Sequence, residues 1–212
     1  MSLLNEVRET GIVPVVVIKD AKDAVPTAKA LLKGGINFME ITFRTDAAAE
    51  SIRLVADQVP EMHVGAGTVI TIDQCKEAER AGAAFMVSPG FNREVVDYCI
   101  EKGIDIFPGV ATPTEIMMGI ECGLKVLKYF PAKIYGGISA LKAIGGPFTD
   151  VSFIPTGGVG AGNLSEFAGL KNVFAVGGSW ICTAKDIEGG NFEAIAELSK
   201  EAVTIWKESV NK

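Results

Sequence analysis

Apolar runs four to six residues long recur eight times along this chain, about every twenty to twenty-seven residues, with stretches of helical period between them. The runs are Val13–Ile18, Asn37–Thr42, His63–Gly67, Phe85–Ser88, Asp105–Pro108, Lys125–Phe130, Ser152–Pro155 and Val173–Gly177. Strand–helix alternation covers both faces of a sheet, and that requires parallel strands. Eight such units without a Pro/Gly/Ser-rich linker predict a single α/β domain over residues 1–212, a (β/α)8 TIM barrel rather than an open doubly wound sheet. No GxGxxG follows the first run, which disfavours a dinucleotide fold. Met1–Thr10 is expected to form an extra N-terminal helix plugging the lower mouth of the barrel, and Phe192–Val210 a long closing helix.

Helix signals agree with this frame. Asp46–Val59 places Ile52, Val55, Ala56 and Val59 on one face. Thr71-Ile72-Asp73-Gln74 and Thr112-Pro113-Thr114-Glu115 both read as capping boxes, the second with proline at the first helical position. Gly34-Gly35, Gly82 and Gly103 fall where helix ends call for a left-handed residue.

Composition removes several functions. With 26 acidic against 20 basic residues, a net charge of -6 and no basic run, no nucleic-acid partner is expected. Gly11–Ile18 is far short of the roughly 20 apolar residues of a membrane span, and the N-terminus lacks a signal-peptide pattern, so no membrane association and a cytoplasmic location are expected. The four cysteines stand singly in apolar settings and read as buried thiols of a reduced protein. His63 is the only histidine, so a His-rich metal site is not available, and no metal ligands are assigned. At the start of a strand, His63 itself reads as structural.

Barrel enzymes react substrates at the C-terminal ends of their strands. In the sixth run, period two puts Val126, Lys128 and Phe130 on one face and Leu127 and Tyr129 on the other. Burial disfavours an ammonium relative to a free amine, and imine formation with a carbonyl requires the free amine. Lys128 is therefore either a nucleophile or an inert core lysine paired with a carboxylate. Glu40 sits at equivalent depth in the second run, where an unpaired charge would be costly. It is either that inert partner or a proton shuttle.

Arg44 lies just past the end of the same strand, placed to clamp a carboxylate. Gly157-Gly158 and Gly177-Gly178 end the last two runs, with Ser179 beside them. Paired glycines there let backbone amides approach a phosphate. Gly65-Ala66-Gly67-Thr68 and Ser88-Pro89-Gly90 leave room at the mouth and read equally well as turn chemistry. Trp180 reads as core packing.

Together, Met39-Glu40-Ile41-Thr42-Phe43-Arg44-Thr45, Val64-Gly65-Ala66-Gly67-Thr68, Ser88-Pro89-Gly90, Leu127-Lys128-Tyr129-Phe130-Pro131-Ala132, Pro155-Thr156-Gly157-Gly158 and Gly177-Gly178-Ser179-Trp180 closely resemble the 2-keto-3-deoxy-6-phosphogluconate (KDPG)/4-hydroxy-2-oxoglutarate (KHG) aldolase family. The resemblance implies Lys128 as Schiff-base lysine and Glu40 as acid/base residue working with a water. It implies Arg44 and Thr68 on the pyruvyl carboxylate, Pro89 and Phe130 lining the pyruvyl pocket, and Thr156 near the aldehyde half. Gly157, Gly158, Gly178 and Ser179 match the phosphate loops. It further implies a metal-independent homotrimer with no cofactor, only the covalent imine. Lys133-Ile134-Tyr135 has no clear match, so this loop bears on aldehyde preference.

Three alternatives remain open: action on the galactonate epimer of the sugar acid, a pyridoxal phosphate barrel, and a non-catalytic sugar-phosphate binder. The second lacks an obvious partner for the cofactor's ring nitrogen.

Overall fold

The computed structural model describes residues 3–210. Nine strands occur: β1 (Ile12–Val16), β2 (Phe38–Thr42), β3 (His63–Gly67), β4 (Phe85–Val87), β5 (Asp105–Phe107), β6 (Gly109–Val110), β7 (Val126–Tyr129), β8 (Ser152–Pro155) and β9 (Val176–Gly178). Between and around them run α1 (Leu3–Thr10), α2 (Ala24–Lys33), α3 (Ala48–Gln58), α4 (Ile72–Arg80), α5 (Arg93–Lys102), α6 (Pro113–Glu121), α7 (Gly137–Gly145), α8 (Ala161–Ala168), α9 (Ala184–Glu188) and α10 (Phe192–Val210). Every strand pairing is parallel, in the orders β5-β4-β3-β2-β1-β9 and β6-β7-β8. Parallel bridges Thr156↔Gly177 and Phe153↔Val173 run between the β8 region and the β9 region.

Several boundaries shift by a residue from the sequence expectation, and three runs differ further. The fifth run is two short strands, because Pro108 between β5 and β6 has no amide to donate to a ladder. The eighth run begins three residues late, with Val173 making only an isolated bridge. The first run leaves its ladder after Val16, and Val17 instead lines a cavity.

Alternation along the strands sorts side chains into two layers. Val13, Phe38, Phe85, Val87, Phe107, Val126, Ile154 and Ala175 form an inner cluster, joined by Val7 of α1. Its aromatic rings pack tilted, Phe38–Phe85 at 6.1 Å and Phe85–Phe107 at 6.0 Å between centroids. The alternate residues, among them Met39, Ile41, Leu127, Tyr129 and Phe153, face the helices.

His63 is structural, as expected. Its ring stacks on Phe38 at 4.8 Å, and its Nε2 lies 2.8 Å from Glu6 of α1. This contact ties α1 across the N-terminal ends of the strands. Residues Met1 and Ser2 of the expected N-terminal helix lie outside the described residues. Among the described residues no helix is long and apolar enough to cross a membrane.

Caps form largely as the sequence predicts. Thr112 and Glu115 close a reciprocal box at the start of α6. At α4 only half forms: Thr71 accepts from the Gln74 amide, but the Gln74 side chain reaches past it to the Ile70 amide. Of the cysteines, Cys75 and Cys99 are buried with their sulfurs 3.5 Å apart between α4 and α5, whereas Cys122 is half-exposed.

Candidate active site

Strand β7 hands Lys128 to the inner face, flanked by β6 and β8 through the pairings Gly109↔Lys128 and Lys128↔Ile154. Strand β2 places Glu40 inward at Val15↔Glu40 and Glu40↔Gly65. The two side chains meet: Lys128 Nζ donates to Glu40 Oε1 at 3.2 Å, and the residues are 5% and 3% exposed. Buried charges persist only when paired and hydrogen-bonded. This pair meets that requirement while leaving the second carboxylate oxygen and two ammonium hydrogens for a ligand.

Glu40 keeps its place because its neighbour has no side chain. A Cβ on Gly67 would stand 2.2 Å from Glu40 Oε1 and 2.5 Å from its Cγ. Below the pair lies a space of about 10 Å³ lined by Val13, Val87, Phe107, Ile154 and Thr156, so the amine rests on an apolar floor. Beside it, the Phe130 ring centre lies 5.3 Å from Lys128 Nζ, within cation–π range.

A separate cavity of about 460 Å³ lies next to the pair, which does not line it; Phe130, beside the Lys128 amine, and Thr156 connect the two. Arg44, Phe130, Thr156, Gly157, Gly158, Gly178 and Ser179 line it together, so seven of the residues singled out in the sequence converge on one space. Thr156 belongs to both the floor and the mouth. Thr68 joins through Arg44, whose Nε donates to Thr68 Oγ1 at 3.2 Å. Thr68 adopts φ 59°, a left-handed conformation that costs a β-branched residue strain and points to a positional demand on its hydroxyl. Pro89, like Lys128, Glu40 and Thr68, does not line the cavity; its carbonyl packs where a Cβ on Gly109 would stand.

The Gly157-Gly158 turn takes φ 93° and 80°, which side chains rarely allow. Sequence reading missed what holds it. Asn163 donates through Nδ2 to the Gly158 carbonyl at 2.9 Å and accepts from the Gly160 amide at 2.9 Å. The only signal was an asparagine three residues after Gly160, in the first turn of α8. Val15, Val17, Cys182 and Thr183 also line the cavity and carried no sequence signal of their own. Burial drives the Cys182 thiol strongly upward in pKa, so it stays protonated.

A parallel α/β sheet that buries a lysine–carboxylate pair beside a cavity lined by an arginine, a Gly-Gly turn and a strand-end glycine defines a class, the Schiff-base aldolases. The chain belongs to the KDPG and KHG aldolase family, whose family model matches residues 3–198. The 2-dehydro-3-deoxy-phosphogluconate aldolase of Pseudoalteromonas atlantica is 47% identical over 91% of this chain and 89% of its own length. The KHG/KDPG aldolase of Escherichia coli K12 is 45% identical, over 91% and 90% of the two chains. Among solved structures, a KDPG aldolase of Legionella pneumophila with pyruvate captured as a covalent carbinolamine superposes with a TM-score of 0.91. It shares 41% identity and covers 95% of this chain and 98% of its own.

Proposed function

We propose that this protein cleaves 2-dehydro-3-deoxy-6-phosphogluconate to pyruvate and glyceraldehyde 3-phosphate, and 4-hydroxy-2-oxoglutarate to pyruvate and glyoxylate. The observation that carries the reading is the buried Lys128–Glu40 contact, next to a cavity lined by Arg44, the Gly157-Gly158 turn and Gly178 of β9. The carbinolamine in the Legionella relative supports direct attack on the keto acid, in place of a pyridoxal cofactor or a binding role alone. The relatives named for the gluconate acid favour it over its galactonate epimer.

The chemistry follows from the residues. Free Lys128 amine adds to the C2 ketone, and loss of water leaves a protonated imine. Glu40, through a water, takes the C4 hydroxyl proton. The C3–C4 pair then flows into the imine, releasing the aldehyde and leaving an enamine. Glu40 returns the proton to C3, and water hydrolyses the imine to pyruvate and free amine. Arg44 and Thr68 hold the keto-acid carboxylate, Phe130 and Pro89 bound the pyruvyl half, and Thr156 meets the aldehyde half. Gly157, Gly158, Gly178 and Ser179 receive the phosphate. No resident metal or organic cofactor takes part.

We read residues 1–212 as one catalytic domain and the two sheets as one closed (β/α)8 barrel with α1 as its extra N-terminal helix. The β8–β9 bridges and the donation from Lys128 N to Pro108 O support closure. We read the assembly as a homotrimer, supported by exposed Ile70, Met117, Ile120, Ile134 and Tyr135. A cytoplasmic location fits the four free cysteines.

Borohydride reduction in the presence of pyruvate, followed by peptide mass spectrometry, tests the assignment. The expected result is a stable adduct on Lys128. No adduct, or one on Lys125 or Lys133, refutes it.

A further inference from the structure

Lys133 follows the Phe130-Pro131-Ala132 segment and is exposed. Two hydrogen bonds stitch its backbone to the glycine turn: Ala132 N donates to Thr156 O at 2.8 Å, and Lys133 N donates to Gly157 O at 3.0 Å. Its side chain fills the space that a side chain on Gly158 would need. An ideal Cβ there would lie 2.4 Å from Lys133 Cβ, 3.1 Å from its Cγ and 2.8 Å from its Cδ. The aliphatic stem therefore lies along the Gly158 backbone, and the ammonium is two bonds beyond Cδ.

Charge at this rim is sparse. Among the cavity-lining residues Arg44 is the one cation, and it is engaged with Thr68. Lys19 pairs with Glu188 at 2.8 Å, whereas Lys133 enters no ion pair among the described residues. A dianion cradled by backbone amides alone keeps most of its charge uncompensated, and an ammonium at the edge of the cradle supplies what is missing. We propose that Lys133 is a specificity-determining residue that carries the cationic charge of the phosphate subsite and selects phosphorylated over non-phosphorylated aldehyde ends. The proposal rests on the aldolase reading above. It gives a role to the loop that the family resemblance left unmatched.

The test compares wild type, Lys133→Met, which keeps the stem, and Lys133→Arg, which keeps the charge. Cleavage of 2-dehydro-3-deoxy-6-phosphogluconate and of the same sugar acid without its phosphate is measured at several salt concentrations. In Lys133→Met, KM for the phosphorylated acid is expected to rise about fivefold with kcat held, as for loss of a part-exposed ion pair. The phosphorylated-over-plain ratio of kcat/KM falls by the same factor, and the dependence of KM on salt flattens. Lys133→Arg retains the wild-type ratio. An unchanged ratio and salt dependence in Lys133→Met overturns the proposal, as does an equal loss for both substrates, which marks a displaced loop. Failure of the underlying reading looks different. Wild type itself then neither forms the pyruvate adduct nor exchanges the methyl protons of pyruvate.

Discussion

Glu40 is the residue whose surroundings say most about the reaction. It lies among buried apolar neighbours, and its hydrogen-bond partner among the described residues is the Lys128 amine, which the proposed reaction requires to give up its proton. Glu40→Gln keeps the volume and an oxygen that can accept from Lys128, so the fold is expected to hold. A glutamine carries no proton between C4 and C3, and kcat should fall about 10²- to 10⁴-fold with native circular dichroism. A wild-type rate removes Glu40 from the mechanism. Gly67 gives a second handle on the same carboxylate. In Gly67→Ala the new methyl occupies the carboxylate's own space, so the side chain must swing off the lysine. Overpacking there should cost about 1–3 kcal/mol in urea unfolding, with a loss of turnover approaching that of Glu40→Gln. Normal turnover from this variant would mean that the carboxylate does not need the position it holds.

At the scale of elements, period two put Lys128 on one face with Val126 and Phe130, but with apolar residues on both faces it did not say which face turns inward. The meeting of Lys128 with Glu40 was not legible, since β2 and β7 are far apart in sequence and the lateral order of strands carries no local signal. The Gly157-Gly158 turn was legible as a turn, because positive φ is a local demand, whereas Gly177 and Gly178 belong to β9. Asn163 was not, because its role depends on where the Gly158 carbonyl points after the turn is made. The shift of β9 has the same origin: Val-Gly-Gly has little strand propensity, and pairing with β1 rather than local preference fixes its extent.

The molecule as a whole separates chemistry from stability along the strand direction. Strand C-terminal ends carry Arg44, Thr68, Phe130, Thr156 and the Gly157-Gly158 turn, while the N-terminal ends carry α1, His63–Glu6 and the lower inner cluster. Val7 is the test of that division. It is fully buried, belongs with Val13, Phe38, Phe85 and Phe107 to the inner cluster, and lines neither the space at the pair nor the larger cavity. Val7→Ala deletes two methyl groups and is expected to cost about 1.5 kcal/mol plus a cavity contribution. For a chain of this size that lowers Tm by about 3–6 °C. Val7 joins the same cluster that supplies the lysine's floor through Val13, Val87, Phe107 and Ile154 but does not itself line that space, so kcat/KM at 25 °C should stay within experimental error of wild type. Thermal unfolding and steady-state rates on the same preparation check both halves. A variant that loses rate in proportion to stability would show that the lower cluster sets the position of Lys128, and the two ends would then have to be treated as one device.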